Sequence, residues 1–149
     1  MAQRRAPLNM EFVLDSSVTL SWFFDDEATS ATDELLDQLN RDGQAIVASH
    51  WALEVGNTLL MAERRKRSTV ADSSHFLAIL DALPIEADLE TISRANTASL
   101  NLARTQGLTL YDSAYLELAM RRSLPLATLD KQLRAAAEKS GVTCLPEAL

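Results

Sequence analysis

Five short apolar runs, each set apart from the next by helix-forming sequence, constrain this chain more than any other feature. The runs are "FVL" from Phe12, "QAIVAS" from Gln44, "IEA" from Ile85, "LPLATLD" from Leu124 and "VTCL" from Val142. Between them lie "SVTLSWFF", "ATSATDELLDQLNRDG", "HWALEVGNTLLMAERRKR", "TVADSSHFLAILDAL", "LETISRANTASLNLARTQG", "TLYDSAYLELAMRRS" and "KQLRAAAEKSG". In the second of these, Leu35, Leu36 and Leu39 recur at helical spacing. Glycine closes three of the segments and Pro84 and Pro125 end two others. Strands alternating with helices predict an α/β fold: one domain with a mainly parallel central sheet of about four or five short strands, flanked by helices. Parallel strands need crossover helices, and such sheets take ligands beyond the carboxyl ends of their strands.

At 149 residues and 47% apolar content, the chain can bury a substantial core. No apolar run approaches the roughly 20 residues needed to span a membrane, and "MAQRRAPLNMEF" lacks a signal-peptide core. The expectation is a cytoplasmic protein, with residues 1–10 a flexible tail, the domain over 11–149, and Met10 an alternative start. Cys144 is the single cysteine, so no intrachain disulfide forms, and its apolar surroundings predict a small buried side chain. A net charge of −7 argues against a protein that coats nucleic acid. The one basic run, Arg64–Arg67 in "AERRKRS", fits either a cationic helix end or a phosphate contact beside an acidic site.

The acids carry the chemistry. Asp15 follows the first strand and Asp130 ends "PLATLD", so a parallel sheet projects both from one edge. Either one also suits a helix N-cap. Glu54 lies in a short polar stripe with Asn57 and Thr58, on a helix whose other face carries Trp51, Val55, Leu59 and Ala62. Such a notch suits the wall of a cleft, although a plain exposed glutamate is the competing reading. Asp112 stands three residues after Thr109, near a capping-box spacing, at the start of a helix marked as largely buried by Tyr111, Ala114, Tyr115, Leu118 and Ala119. Two carboxylates about 4 Å apart repel by roughly 4 kcal/mol at an effective dielectric near 20. Acids gathered on one edge therefore share protons or hold a cation. Oxygen ligands without thiolate or histidine favour Mg²⁺, with Mn²⁺ the alternative. His50 and His75 form no zinc motif and are expected to be structural.

The segments "FVLDSSVTLSWFFDDE", "LEVGNTLL" and "LTLYDSAYLELAMRRSLPLATLDKQLRAAAEKSGV" resemble PIN-domain proteins, specifically the VapC-like toxins of bacterial toxin–antitoxin pairs. The similarity runs from about Phe12 to Val142, and the YD-led helix joined to a strand ending in TLD is its most specific part. The resemblance implies that Asp15 is the first-strand metal ligand, Glu54 the helix glutamate, Asp112 the third acid and Asp130 the acid of the T-x-D motif. It also implies supporting places for Asn57, for Thr128 as a brace and for Ser17 as the small hydroxyl after the first aspartate. Its further implications are Mg²⁺-dependent cleavage of RNA, homodimerisation and neutralisation by a cognate VapB-like antitoxin.

The expected activity is thus that of a metal-dependent endoribonuclease, in which Glu54 serves as ligand or as general base. A non-catalytic PIN-like module that binds RNA or protein is the alternative. A Mg²⁺-dependent phosphotransfer protein fits less well, because the first-strand acid lacks a D-x-D pattern and no lysine completes a receiver site. Trp22, Phe23 and Phe24 cannot all face inward from one helix. At least one is expected on an exposed apolar patch that, with Leu35, Leu36 and Leu39, receives the antitoxin.

Overall fold

Phe12, Val13 and Leu14 are all fully buried, so the strand that carries them, β1 (Glu11–Leu14), has protein on both faces. The computed structural model describes residues 10–148. In it β1 lies at the centre of a five-stranded sheet of order β3-β2-β1-β4-β5, every neighbouring pair parallel. The other strands are β2 (Gln44–Val47), β3 (Ile85–Ala87), β4 (Leu126–Ala127) and β5 (Cys144–Leu145). The expected tail lies outside the described residues apart from Met10, whose carbonyl accepts the Gln44 N–H at 2.8 Å.

Because side chains alternate along a strand, β1 divides the core. Phe12 and Leu14 pack with Val18 of α1 (Ser16–Ser21) and with Leu35 and Leu39 of α2 (Ser30–Asn40). Val13 faces the other layer. There it meets Tyr115, Leu116 and Leu118 of α7 (Leu110–Arg122) and Leu133, Ala136 and Ala137 of α8 (Lys131–Lys139). Cys144 is buried in this second layer, as its apolar context predicts. A third cluster joins Leu20 and Phe24 to Val55, Leu59 and Ala62 of α3 (Trp51–Arg64) and to Phe76 and Leu80 of α4 (Val70–Asp81). The segment after β3 is one interrupted helix: α5 (Thr91–Arg94), a π turn (Ala95–Ser99) and α6 (Leu100–Gln106), ended by left-handed Gly107.

Two expectations are corrected here. The helix after β1 ends at Ser21 rather than continuing through the aromatics, so Trp22, Phe23 and Phe24 leave it in different directions. The Trp22 indole donates to the Thr32 carbonyl at 2.8 Å, and Phe23 packs edge-on against Phe24 at 4.9 Å and near Phe76 at 5.1 Å. None of the three is exposed. Leu35 and Leu39 are core residues and Leu36 is half-buried, so these side chains do not make the exposed patch anticipated from their spacing. Tyr111, in turn, is 64% exposed, because α7 buries the unbroken stretch Ser113–Ala119 and its first turn stands out at the sheet edge.

α7 ends at Ser123 with φ 54°, and the Leu124 N–H returns to the Ala119 carbonyl at 3.0 Å. That closure needs a left-handed residue, which costs any side chain with a Cβ about 1 kcal/mol relative to glycine. Ser123→Gly is expected to stabilise the fold by roughly 0.5–1 kcal/mol and to raise the thermal midpoint by about 2–4 °C, read by circular dichroism melts against wild type.

Candidate active site

The parallel register decides which residues meet at the end of β1. Leu14 pairs with Ala127, so the next residues, Asp15 and Thr128, stand side by side where both strands end. The Asp15 carboxylate is 4% exposed and takes two short bonds on one oxygen: Ser17 Oγ donates to Oδ2 at 2.7 Å and Thr128 Oγ1 at 2.8 Å. The same hydroxyls hold the neighbouring chain, since Ser17 Oγ accepts the Leu129 N–H at 2.9 Å and Thr128 Oγ1 accepts that of Asp130 at 3.1 Å. Burial pushes the Asp15 carboxyl above its usual range, the two hydroxyls pull it back, and the charge of Glu54 raises it again. Among the described residues Oδ1 meets only Ser16 Oγ, at 3.4 Å.

The other acids arrive on helix starts. α1, α3 and α8 follow β1, β2 and β4 and therefore begin at the carboxyl edge of the sheet. α7 runs back towards the start of β4, so its first turn lies at that edge too. Asp130 N-caps α8, with Oδ1 accepting the Leu133 N–H at 2.9 Å; the capping role and the edge position are both real. Glu54, in the first turn of α3, accepts the Tyr115 hydroxyl on Oε1 at 2.5 Å, and His50 Nε2 stands 3.7 Å from the same oxygen. Asp112 occupies half of a capping box: Thr109 Oγ1 accepts its N–H at 3.2 Å, but the Asp112 carboxylate does not return the bond. Both of its oxygens are free of hydrogen bonds among the described residues. Desolvation first, then the charges of Asp15, Asp130 and Glu54, raise the Asp112 carboxyl to about 6. Four segments far apart in the chain thus share one electrostatic neighbourhood.

Among the described residues no three His, Cys, Asp or Glu side chains converge tightly enough to enclose an ion. The acids are grouped without forming a closed cage. A cation held at this edge would therefore take only one or two carboxylates from the protein and fill its other positions with water. Among the described residues Asp130 Oδ2, Glu54 Oε2 and both oxygens of Asp112 accept no hydrogen bond and Asp15 Oδ1 accepts only the long one from Ser16, an all-oxygen donor set. Asn57 and Thr58 lie further along α3, with Ser17 and Asp130, on the wall of a groove.

Sequence reading missed two neighbours. Tyr115 reads as core, and its ring is fully buried, yet its hydroxyl orients Glu54. His50 reads as structural, but its ring packs on Tyr115 at 4.9 Å and its Nε2 pairs with the Tyr111 carbonyl at 3.1 Å, beside Glu54. A histidine four residues ahead of a helix glutamate was the only available signal. A third strand-end acid was also passed over: Asp88, directly after β3, is 3% exposed and bound by Arg121 at 2.7 Å, outside the group.

A parallel sheet between two helical layers, with acids gathered beyond the carboxyl ends of its central strands, defines the class: an α/β domain with its candidate site at that edge. A family model described as the PIN domain matches residues 12–139, and the chain belongs to that family. Solved structures share the fold. PAE2754 from Pyrobaculum aerophilum is 24% identical with a TM-score of 0.65, over 92% of this chain and 85% of that one. The Mycobacterium tuberculosis VapC20, described as a sarcin–ricin loop cleaving toxin, is 14% identical with a TM-score of 0.63, over 84% and 94%. VapBC2 from Rickettsia felis, crystallised with a DNA fragment from its promoter, is 12% identical with a TM-score of 0.56, over 85% and 93%. No curated protein sequence matches the chain.

The raised Asp112 carboxyl carries a testable sign. Its ionised form is disfavoured in the native fold, so the penalty is absent below the unfolded value near 3.8 and complete above about 6. In chelator, Asp112→Asn is expected to gain stability over wild type as pH rises through that window and to hold a constant advantage above it. Thermal melts of both proteins between pH 4 and about 8 read the difference; an advantage that shrinks with rising pH would contradict the grouping.

Proposed function

We propose that the chain is a Mg²⁺-dependent endoribonuclease, with Mn²⁺ able to substitute, acting as the toxin of a toxin–antitoxin pair. The observation that carries this reading is the buried Asp15 carboxylate, braced by Ser17 and Thr128 and facing Asp112, Asp130 and Glu54 with no Lys or Arg paired to any of the four among the described residues. The sarcin–ricin loop cleaving activity printed for VapC20 makes RNA the favoured polyanion.

A bound divalent ion would supply a water of lowered pKa and positive charge against the scissile phosphate. The chain's own residues hold that arrangement in place. Asp15 presents Oδ1 because its other oxygen is occupied by two hydroxyls. Asp130 is fixed by its cap bond through Oδ1, which leaves Oδ2 without a hydrogen bond among the described residues. Asp112, whose carboxyl is raised to about 6 by burial and by the neighbouring acids, would be stabilised in its ionised form by an added cation. Glu54, oriented by Tyr115, accepts the proton of the attacking water or binds it as an outer ligand. Water then adds to phosphorus, the bond to the leaving ribose oxygen breaks, and that oxygen takes up a proton.

The toxin assignment brings a VapB-like antitoxin and a homodimer as partners, and a cytoplasmic site of action. No helix among the described residues is long and apolar enough to cross a membrane.

The purified protein, freed of any antitoxin, is expected to cut structured RNA with Mg²⁺ and not with chelator. Asp15→Asn should abolish cleavage. Thr128→Val, which removes one brace and leaves the carboxylate in place, should lower the rate by about 10–100-fold. An Asp15→Asn protein that cuts at the wild-type rate would refute the assignment. RNA retained without cleavage by the wild type would instead favour the binding-module reading.

A further inference from the structure

A groove of about 600 Å³ opens directly from the acid group and runs along α3. Ser17 and Asp130 line its near end. Leu20, Phe24, Met61 and Ala62 make an apolar floor, with Asn57 and Thr58 as a polar flank. At the far end stand Arg65 and Arg67, just past the last turn of α3. From Asn57 to Arg65 the helix advances about 12 Å. One continuous channel therefore leads from carboxylates to guanidiniums across a surface able to stack a ring and to hydrogen-bond its edge.

The arginines are placed by the backbone. α3 closes with the Arg67 N–H on the Ala62 carbonyl at 2.9 Å and the Lys66 N–H on that of Glu63 at 3.0 Å, with Lys66 left-handed at φ 60°. This closure turns the chain back over its own last turn, so Arg67 lies with its guanidinium 4.7 Å from the Phe24 ring centre. Its ion pair with Asp26, at 3.5 Å, is exposed on both sides and readily exchanged. Arg65 is exposed and has no salt bridge among the described residues. Glu27 and Asp130 are the acids of the lining, Glu27 lying within the field of Arg67, so Arg65 is the arginine of the groove with no acid paired to it among the described residues. In a chain of net charge −7, a cationic pair at the mouth of the channel leaving an acidic site is unusual placement for mere solubility.

We infer that this groove holds the single RNA strand flanking the cleavage position: a base rests on Leu20, Phe24 and Met61, Asn57 and Thr58 contact its edge, and the next phosphate meets Arg65 and Arg67. The inference rests on the nuclease reading for the identity of the polyanion. Apolar floor, hydrogen-bonding flank and separated cations match a nucleotide strand, in which bases stack on side chains while phosphates pair with cations. Arg65 and Arg67 are positioning residues; they lie too far along α3 to touch the reacting atoms.

The test uses the full chain in an Asp15→Asn background and a fluorescent mixed-sequence oligoribonucleotide of about a dozen nucleotides, followed by anisotropy over a range of salt. Arg65→Gln with Arg67→Gln is expected to weaken binding roughly tenfold, two exposed ion pairs near the top of their range. The slope of log affinity against log salt should fall by about 0.7, for one phosphate contact on a single strand. Arg67→Lys, which keeps the charge and loses the planar stack, should retain most of the affinity. Arg65→Glu, at a fully exposed position, gives the same loss without touching the packing. With wild-type catalytic residues, the double substitution should raise KM and leave kcat near its parent value. Affinity and slope unchanged in the double variant, or no binding by the parent, would overturn the groove assignment. So would equal, arginine-dependent binding of polyglutamate, which would put an acidic protein segment there instead. Arginine-dependent RNA binding by a protein that never cuts with Mg²⁺ would uphold the groove and remove the nuclease reading; cleavage indifferent to the arginines would do the reverse.

Discussion

The hydroxyl clamp on Asp15 is the constraint from which the rest of the site follows. A carboxylate at the end of a fully buried central strand is costly in its charged form, and only short, well-directed donors make the position tenable. Ser17 reaches it from the first turn of α1, and Thr128 from the adjacent strand end, because β1 and β4 pair Leu14 with Ala127. A slip of one residue in that register would send Thr128 to the opposite face and pull Leu129 and Asp130 out of place with it. The same two hydroxyls also accept the N–H groups of Leu129 and Asp130, so the clamp holds a loop as well as a charge.

Each structurally engaged acid divides its two oxygens between work for the fold and exposure to the site. Asp15 gives one to the clamp, Asp130 one to the cap of α8 and Glu54 one to Tyr115. Asp112 gives none, and burial together with the neighbouring charges raises its carboxyl to about 6. Its helix is nevertheless well anchored. The buried Ser113 hydroxyl donates to the Ser99 carbonyl at 2.5 Å in the π turn, and Arg121 near the far end bonds Asp88 and Glu117. A side chain that is strained electrostatically is thus mounted on an element with little freedom to relieve the strain by moving.

Much of this was legible before any coordinates, and for identifiable reasons. The alternation of short apolar runs with helical patterns foretells a parallel sheet, and that topology alone places Asp15 and Asp130 on one edge. Glu54 is visible because short polar residues interrupt an otherwise apolar half of α3. What escapes is anything set by where a helix stops or where a side chain's last atom points. The aromatics Trp22, Phe23 and Phe24 look unable to share an interior only if α1 continues through them, and it ends at Ser21. Tyr115 follows the buried periodicity of α7, so its ring is predictable, but the 2.5 Å bond from its hydroxyl to Glu54 joins residues 61 apart and has no local signature. The arrangement of the acids as an open group, without closure into a cage, likewise depends on distances that spacing along the chain does not encode.

Asp88 shows what an acid at a strand end looks like when the fold alone accounts for it. It follows β3 as Asp15 follows β1, and it is equally buried. Its carboxylate, however, accepts from Arg121 on both oxygens, at 3.1 and 2.7 Å, and from Thr91 at 2.9 Å, and these donors hold it below the usual carboxylate range. Glu90 and Glu117 join the same arginine, and Arg94 and Arg122 add two more guanidiniums, so three acids meet three arginines at the β3 end. At the ends of β1 and β4 the opposite choice is made: hydroxyls and a tyrosine stand where guanidiniums would neutralise the acids. Had the acids at that edge only to be tolerated by the fold, arginine pairing of the kind found a few residues away would do it at lower cost. The unmatched acids are what the proposed cation would have to balance, with positive charge brought from outside the chain.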